Sequence, residues 1–242
     1  MIKQKLVKDL VPKSWLDLSE INSIMTEVVI KNKSMLKTLD SYKDEFFARV
    51  DYKNPKYKMQ SKDYDVNCDP KYWSSDEHLK WKLSMQSTHT GFPEEHMACP
   101  MSNIVRQSPD FKDLETRIRD GFAREIGAHS AALLNYYPPT GSVGWHNNWN
   151  AAAYQILFTW SRTGDGYFKY YDTATKEVVT IPDVPGWQCR HYYFAGKDEP
   201  EEKHCWHAAY TDCDRLTLAY KFIGEAALAL RGNLIEELES DE

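Results

Sequence analysis

The chain of 242 residues contains no apolar run approaching the roughly 20 residues that a bilayer-spanning helix requires. Its longest, around Ala226 to Leu230, is far shorter, so a soluble protein is expected. The opening Met1-Ile2-Lys3-Gln4-Lys5 has neither the apolar core nor the small-residue cleavage site of a secretory signal, which points to a cytoplasmic location. Glycine and proline are sparse at 11 each, which excludes collagen-like and low-complexity chains. The five cysteines (Cys68, Cys99, Cys189, Cys205, Cys213) are odd in number and lack framework spacing, as expected of reduced thiols. A basic excess is also missing. The net charge of −6 argues against a dedicated nucleic-acid binder. That charge is uneven: residues 1–60 hold 12 Lys+Arg against 8 Asp+Glu, so the remainder carries −10.

What is present is an ordinary globular mixture, 42% hydrophobic and 27% charged, with an unusual 13% of aromatic residues. Eight Trp and 15 Tyr suit β-rich cores or ligand pockets, and composition does not choose between them. The length fits one β-rich domain.

The first 40 or so residues read as helical, with Ser14 before Trp15-Leu16 and with Ile21, Ile24, Met25, Val28 and Val29 on one face from Ser19 onward. A second helix has Ser108 as a cap, Pro109 at its first position, Phe111, Leu114, Ile118 and Phe122 at helical spacing, and Gly127 as its stop. Residues 51–107 between them read as long loops with short elements. From Ser130 the texture changes to short β-rich runs bounded by turn residues: 131–137, 143–145, 154–160, 167–171, 177–181, 188–194, 206–209 and 216–223. Such a run of strands predicts a mainly β, α+β chain, a double-sheet jelly roll with N-terminal helices packed on it. The expected organisation is a helical and loop-rich region over 1–129, a jelly-roll core over 130–224, and a short helix with an acidic tail over 225–242, all in one compact domain.

Four segments stand out for chemistry: Asn135-Tyr136-Tyr137-Pro138-Pro139-Thr140-Gly141, then Gly144-Trp145-His146-Asn147-Asn148, then Trp206-His207-Ala208-Ala209, and last Arg215 to Lys221. Singly each has a plain structural reading: a hydrogen-bonded histidine, a turn, a surface ion pair. Their order resembles the iron(II)- and 2-oxoglutarate-dependent dioxygenases over roughly residues 130–223, and the Asn-x-Tyr-x-Pro-x-Gly segment is most similar to the alkylation-repair branch. Gly144-Trp145-His146 with Asn148 and Trp149 is also similar to small oxygenases of tailed phages, for which the location would be the host cytoplasm. The resemblance implies that His146 and His207 bind Fe(II), that Arg215 and Lys221 match two basic positions of that branch, Arg215 taking the far carboxylate of 2-oxoglutarate, and that Asn135 and Tyr137 contact the same cosubstrate. Two imidazoles and an oxygen ligand on one face of Fe(II) leave three adjacent positions open. Both histidines must be neutral to ligate, and the planar fork of an arginine matches a carboxylate bidentately.

The chain departs from that pattern at Lys221, where the branch normally has Arg, and more seriously at the metal site. The family has an acid two residues after the first histidine, and here Asn148 stands there. Three readings remain open: the Asn148 amide oxygen ligates, holding iron more weakly; a remote carboxylate, Asp165 or Asp172, swings in; or the site is catalytically silent. His204 is a rival to His207, although on one strand the two would face opposite ways, and His191 reads as a packed residue. His89, His96 and Cys99 lack zinc-site spacing. The lysines and aromatics of Tyr52 to Lys82 suit a single-strand platform, but neighbouring acids nearly cancel their charge. Trp145, Trp149 and Trp187 are candidates for the cavity mouth, with core packing as the alternative for each. The expected activity is hydroxylation of a C–H bond of an unidentified substrate (a protein side chain, a small molecule or a nucleobase), with 2-oxoglutarate converted to succinate. The alternatives are a silent dicarboxylate-binding module or a nucleobase oxidase.

Overall fold

The computed structural model describes residues 26–28, 33–49, 69–84, 93, 95–148 and 152–224. Two antiparallel sheets face each other. The larger has the order β1-β9-β6-β11-β4-β3, and the smaller β2-β5-β10-β7-β8. The eight strands foreseen from Ser130 onward are all present: β4 Ser130–Tyr137, β5 Gly141–His146, β6 Ala153–Ser161, β7 Gly166–Asp172, β8 Glu177–Pro182, β9 Gly186–Phe194, β10 His207–Thr211 and β11 Arg215–Phe222. Three further strands come from earlier in the chain: β1 Thr26–Val28 on β9, β2 His96–Met97 on β5, and β3 Cys99–Pro100 on β4. The architecture is the double-sheet jelly roll, mainly β, with most helices on the outer face of the large sheet and Leu79 of the helix Asp76–Ser84 against the small one.

Both faces of the large sheet are covered, which explains why β6 is buried at every position instead of alternating. On its outer face Leu134, Tyr136, Ile156, Phe158, Leu216 and Leu218 pack against the helices. Helix α1 (Lys33–Arg49) contributes Leu39 and Phe46 to that layer, and the segment 101–125 contributes Ile104, Leu114, Ile118 and Phe122. The inner face, which carries Leu157, Tyr192, Phe194 and Ala219, meets Val143, Phe168 and Ala209 of the small sheet. A cavity lies in this inner layer. Among the described residues no helix is long and apolar enough to cross a membrane.

Two local expectations change. Thr26–Val28, placed on a helix by the spacing of apolar residues, is a strand paired with Cys189–His191. β-branched Thr26 and Val28 favour extended backbone, and the open edge of β9 supplies the hydrogen bonds. Ser14 and residues 15–25 lie outside the described residues, as do Trp149 and residues 225–242. The second helix is present, but its course is a 3-10 turn (Pro109–Phe111), α4 (Lys112–Thr116), a π segment (Arg117–Phe122) and α5 (Ala123–Glu125). Pro109 opens it, while the Ser108 side chain makes no capping bond. Gly127 ends it at φ 70°, the left-handed conformation that glycine adopts without strain. Within 51–107 the described elements are a 3-10 turn (Tyr72–Ser74), α2 (Asp76–Ser84), β2, β3 and α3 (Met101–Gln107).

Candidate metal centre and carboxylate seat

β5 and β10 are neighbours, and His146 pairs directly with His207. The next matched pair is Val143 with Ala209, so β5 carries one extra residue there. A bulge of this kind re-aims side chains. Val143 and His146, three positions apart, consequently both line one cavity. Trp145, within the bulge, is turned to the opposite face among Leu79, Trp206 and Ala208, where its indole donates to the Ser75 carbonyl at 2.8 Å. Gly144 permits the geometry: a Cβ there would stand 2.9 Å from Glu95 Cβ and 3.0 Å from its carbonyl oxygen.

The two imidazole centroids are 4.1 Å apart. His146 Nδ1 lies 2.8 Å from the Gly144 carbonyl, and His207 Nδ1 lies 3.0 Å from that of Cys205. A carbonyl only accepts, so each Nδ1 carries the proton and each Nε2 offers a lone pair. That is the tautomer a metal needs, fixed by the partner on the other ring nitrogen. His207 is held further by stacking on Phe168 and Phe194, with centroids at 5.6 and 4.9 Å. Burial pushes its pKa down to about 4, against a smaller opposing effect of its bond to Cys205, so the ring is neutral at pH 7.

Asn148 completes the cluster, with its Nδ2 3.5 Å from His207 Nε2. A half-turn of the amide brings the oxygen to that side. The remote acids are elsewhere. Asp165 accepts from Thr163 Oγ1 at 2.7 Å, and Asp172 Oδ1 accepts the Ala174 and Thr175 amides at 2.9 and 3.2 Å. Neither lines the cavity. Among the described residues no three His, Cys, Asp or Glu side chains gather as a metal site. The residues fit Fe(II) as a pair of neutral imidazoles plus an amide, which leaves the centre one charge unit more positive than a carboxylate would.

The cavity measures about 230 Å³. Its walls include Tyr137, His146, Asn148, His207, Arg215 and Lys221, and among the described residues no Asp or Glu. Arg215 is buried; its Nη1 donates to Thr217 Oγ1 at 2.8 Å and its Nε to Asp183 Oδ2 at 2.9 Å. Its Nη2 is a buried donor without a hydrogen-bond partner, as a seat for a carboxylate oxygen requires. Tyr137, facing Arg215 across the β4–β11 pairing, lies with its ring 5.4 Å from the guanidinium. Asn135 is buried two positions before Tyr137 on β4, not on the cavity wall, and its amide atoms make no hydrogen bond. Lys221, six residues along β11 from Arg215, lines the same cavity.

Several other candidates are resolved by packing. His204 precedes β10 and sits 3.2 Å from the Gly196 carbonyl through Nε2. His191 shares the β9 face of Trp187 and Cys189, away from the cavity. Trp145 and Trp187 are not at the mouth: both are buried, and the Trp187 indole donates to Asp40 at 2.9 Å on the helix side. His96 contacts the Pro93 carbonyl at 2.8 Å and Cys99 lies in the helix-side core, while His89 is outside the described residues.

Sequence reasoning missed Asp183, Gln188 and Arg190. Asp183 is buried, and although burial raises its pKa, Arg215 and Arg190 hold it below the usual carboxylate range. Its share of stability is present above the ordinary Asp value and lost as pH falls through the depressed one. Gly166 makes room for it, since a Cβ there would come 2.9 Å from Asp183 Oδ2. Asp183→Asn is expected to lower unfolding free energy in urea at pH 7 by about 3–5 kcal/mol, because two buried guanidiniums lose a shared carboxylate partner. The available signal was Gln188 and Arg190 at alternate positions of a strand otherwise rich in aromatic and apolar residues.

No family model matches the chain, and no curated protein matches its sequence. Solved structures do. A prolyl-4-hydroxylase from Pseudomonas putida is 9% identical with a TM-score of 0.38, covering 86% of this chain and 96% of that one. The complex of 2-oxoglutarate with dioxygenase for auxin oxidation 1 from Arabidopsis thaliana is 12% identical with a TM-score of 0.39, covering 86% of each chain. The corresponding dioxygenase of rice is 12% identical with a TM-score of 0.38, covering 86% of this chain and 76% of that one.

Proposed function

We propose that the chain belongs to the Fe(II)- and 2-oxoglutarate-dependent oxygenases and hydroxylates a C–H bond. The observation that carries this reading is one cavity that joins His146 and His207, each with Nδ1 on a carbonyl, to Arg215 with its unpartnered Nη2. When bound, iron and 2-oxoglutarate supply the oxidation by O2, with loss of CO2 from the cosubstrate and release of succinate.

The protein's part is binding, orientation and charge. His146 and His207 hold the metal through Nε2, and Asn148 offers a neutral amide oxygen. The Phe168 and Phe194 rings fix the plane of His207. Arg215 takes the far carboxylate and Tyr137 orients it without adding charge, while Asn135, expected from the sequence to share that role, stands off the cavity wall. Lys221 gives the cavity a second cation, and with Arg215 it favours an anionic cosubstrate over neutral oxo acids' esters. The aromatic inner layer of Phe168, Tyr192 and Phe194 keeps the centre out of bulk water.

The test is oxygen-dependent formation of succinate from 2-oxoglutarate by the Fe(II)-loaded chain. Succinate formation that disappears in His207→Ala supports the reading. A second reading, a dicarboxylate-binding module without turnover, is favoured by Asn148 standing where an acid is wanted. It predicts 2-oxoglutarate binding with no succinate.

A further inference from the structure

Three neighbouring strands bring three polar side chains into one row across the inner face of the large sheet. Lys221 on β11 is paired with Gln155 on β6, and Gln155 with Tyr192 on β9. All three line the cavity, in company with His146, Asn148 and His207. The Tyr192 ring centroid lies 6.2 Å from that of His207, which places the row at the metal end. Gln155 and Tyr192 are 3% and 4% exposed, and Lys221 is half-buried. Among the described residues none of the three side chains has a hydrogen-bond or ion-pair partner. Burial holds the Tyr192 phenol far above its usual pKa, so its hydroxyl keeps a proton to donate.

This row is separate from the Arg215 seat. Arg215 stands six residues away on β11, about 20 Å along an extended strand. Ala219 and Leu157, paired with each other, line the cavity between the two. The cavity is therefore polar at both ends and apolar in the middle. On the proposed reading, 2-oxoglutarate has its far carboxylate on Arg215 and its near one at the metal, so neither is left for Lys221. No acid lines the described wall, and Asn148 brings no charge. An ammonium, a phenol and an amide without partners are a set of donors that calls for an oxyanion. One cation with two neutral donors matches a singly charged carboxylate better than a phosphate dianion.

We propose that Lys221, Gln155 and Tyr192 form a second carboxylate seat at the metal end, and that the substrate is an acid held there through its carboxylate. This deepens the oxygenase reading and rests on it for the occupant's role as substrate. A lysine that is merely solvated would leave the choice between an acid and its amide untouched.

The experiment uses the full chain in excess over Mn(II), saturated with 2-oxoglutarate, and propionate as the probe; propionamide is the neutral control. Mn(II) shortens the proton relaxation times of a ligand beside it, so the readout reports the metal end and not the surface. The expected pattern is a saturable effect on propionate and none on propionamide. Lys221→Met weakens propionate about thirtyfold and 2-oxoglutarate, followed by calorimetry, by no more than about threefold. Lys221→Arg, which keeps the charge, holds propionate within about threefold of wild type. Tyr192→Phe and Gln155→Leu each weaken it by about tenfold. If Lys221→Met does not fold, Lys221→Gln carries the same test. The proposal is overturned if wild type shows no effect on propionate, or if Lys221→Met shows the wild-type effect. It is equally overturned if Lys221→Met weakens 2-oxoglutarate as much as propionate, which would give the row to the cosubstrate. A wild type that holds no Mn(II) or no 2-oxoglutarate rejects the oxygenase reading instead. Saturation transfer to propionate in the metal-free chain then decides the seat: loss of the signal in Lys221→Met keeps it, and persistence overturns it.

Discussion

Asn148→Asp is expected to bind Fe(II) on the order of a hundredfold more tightly than the wild-type chain, about 2.7 kcal/mol. The substitution keeps the shape of the side chain, whose amide lies 3.5 Å from His207 Nε2. It replaces a neutral oxygen with a charged one. The cavity wall already carries Arg215 and Lys221 and, among the described residues, no acid, so the new carboxylate meets no like charge. Asn148→Ala removes the ligand and is expected to weaken Fe(II) by about tenfold. Competition with a fluorescent chelator measures both. Unchanged affinity in both variants would show that the amide does not reach the metal.

Arg215→Met is expected to weaken 2-oxoglutarate on the order of a hundredfold, since a buried charge-assisted pair is lost and the cavity keeps no matched fork. The fold should tolerate it. Asp183 would retain Arg190 Nη2 and Gln188 Nε2. Arg215→Lys keeps the charge but not the planar fork and is expected to recover part of the affinity. Calorimetry with the Mn(II)-loaded protein reads both. Equal affinity in wild type and Arg215→Met would remove Arg215 from the carboxylate seat.

Much of the jelly roll was legible because turn residues punctuate it. Gly164-Asp165-Gly166 separates β6 from β7 and Asp172–Lys176 separates β7 from β8, where Asp172 caps the turn with its own side chain. β1 was not legible: three extended residues within an apolar stretch carry too little pattern, and the strand exists through pairing with β9, more than 160 positions away. His146 and His207 were legible from their order along the chain. The bulge that turns His146 and Val143 to the same side was not, because it is a mismatch between two strands and exists in neither alone. The Asp183–Arg190–Arg215 cluster escaped for the same reason. Its members are spread over a turn and two strands, and the bond from Arg215 to Asp183 spans 32 positions. The tryptophans at 145 and 187 show the opposite lesson, since large rings near a site are most often packed behind it.

The most direct test of the account is an anaerobic titration of the metal-free chain with Fe(II) and 2-oxoglutarate, followed in the visible region. A weak charge-transfer band is expected from iron chelated by 2-oxoglutarate, absent in His146→Ala and His207→Ala and displaced to higher 2-oxoglutarate in Arg215→Met. No band at saturating Fe(II) and 2-oxoglutarate, from a protein that is folded by circular dichroism, would contradict the assignment of His146, His207 and Arg215 to one metal and cosubstrate site.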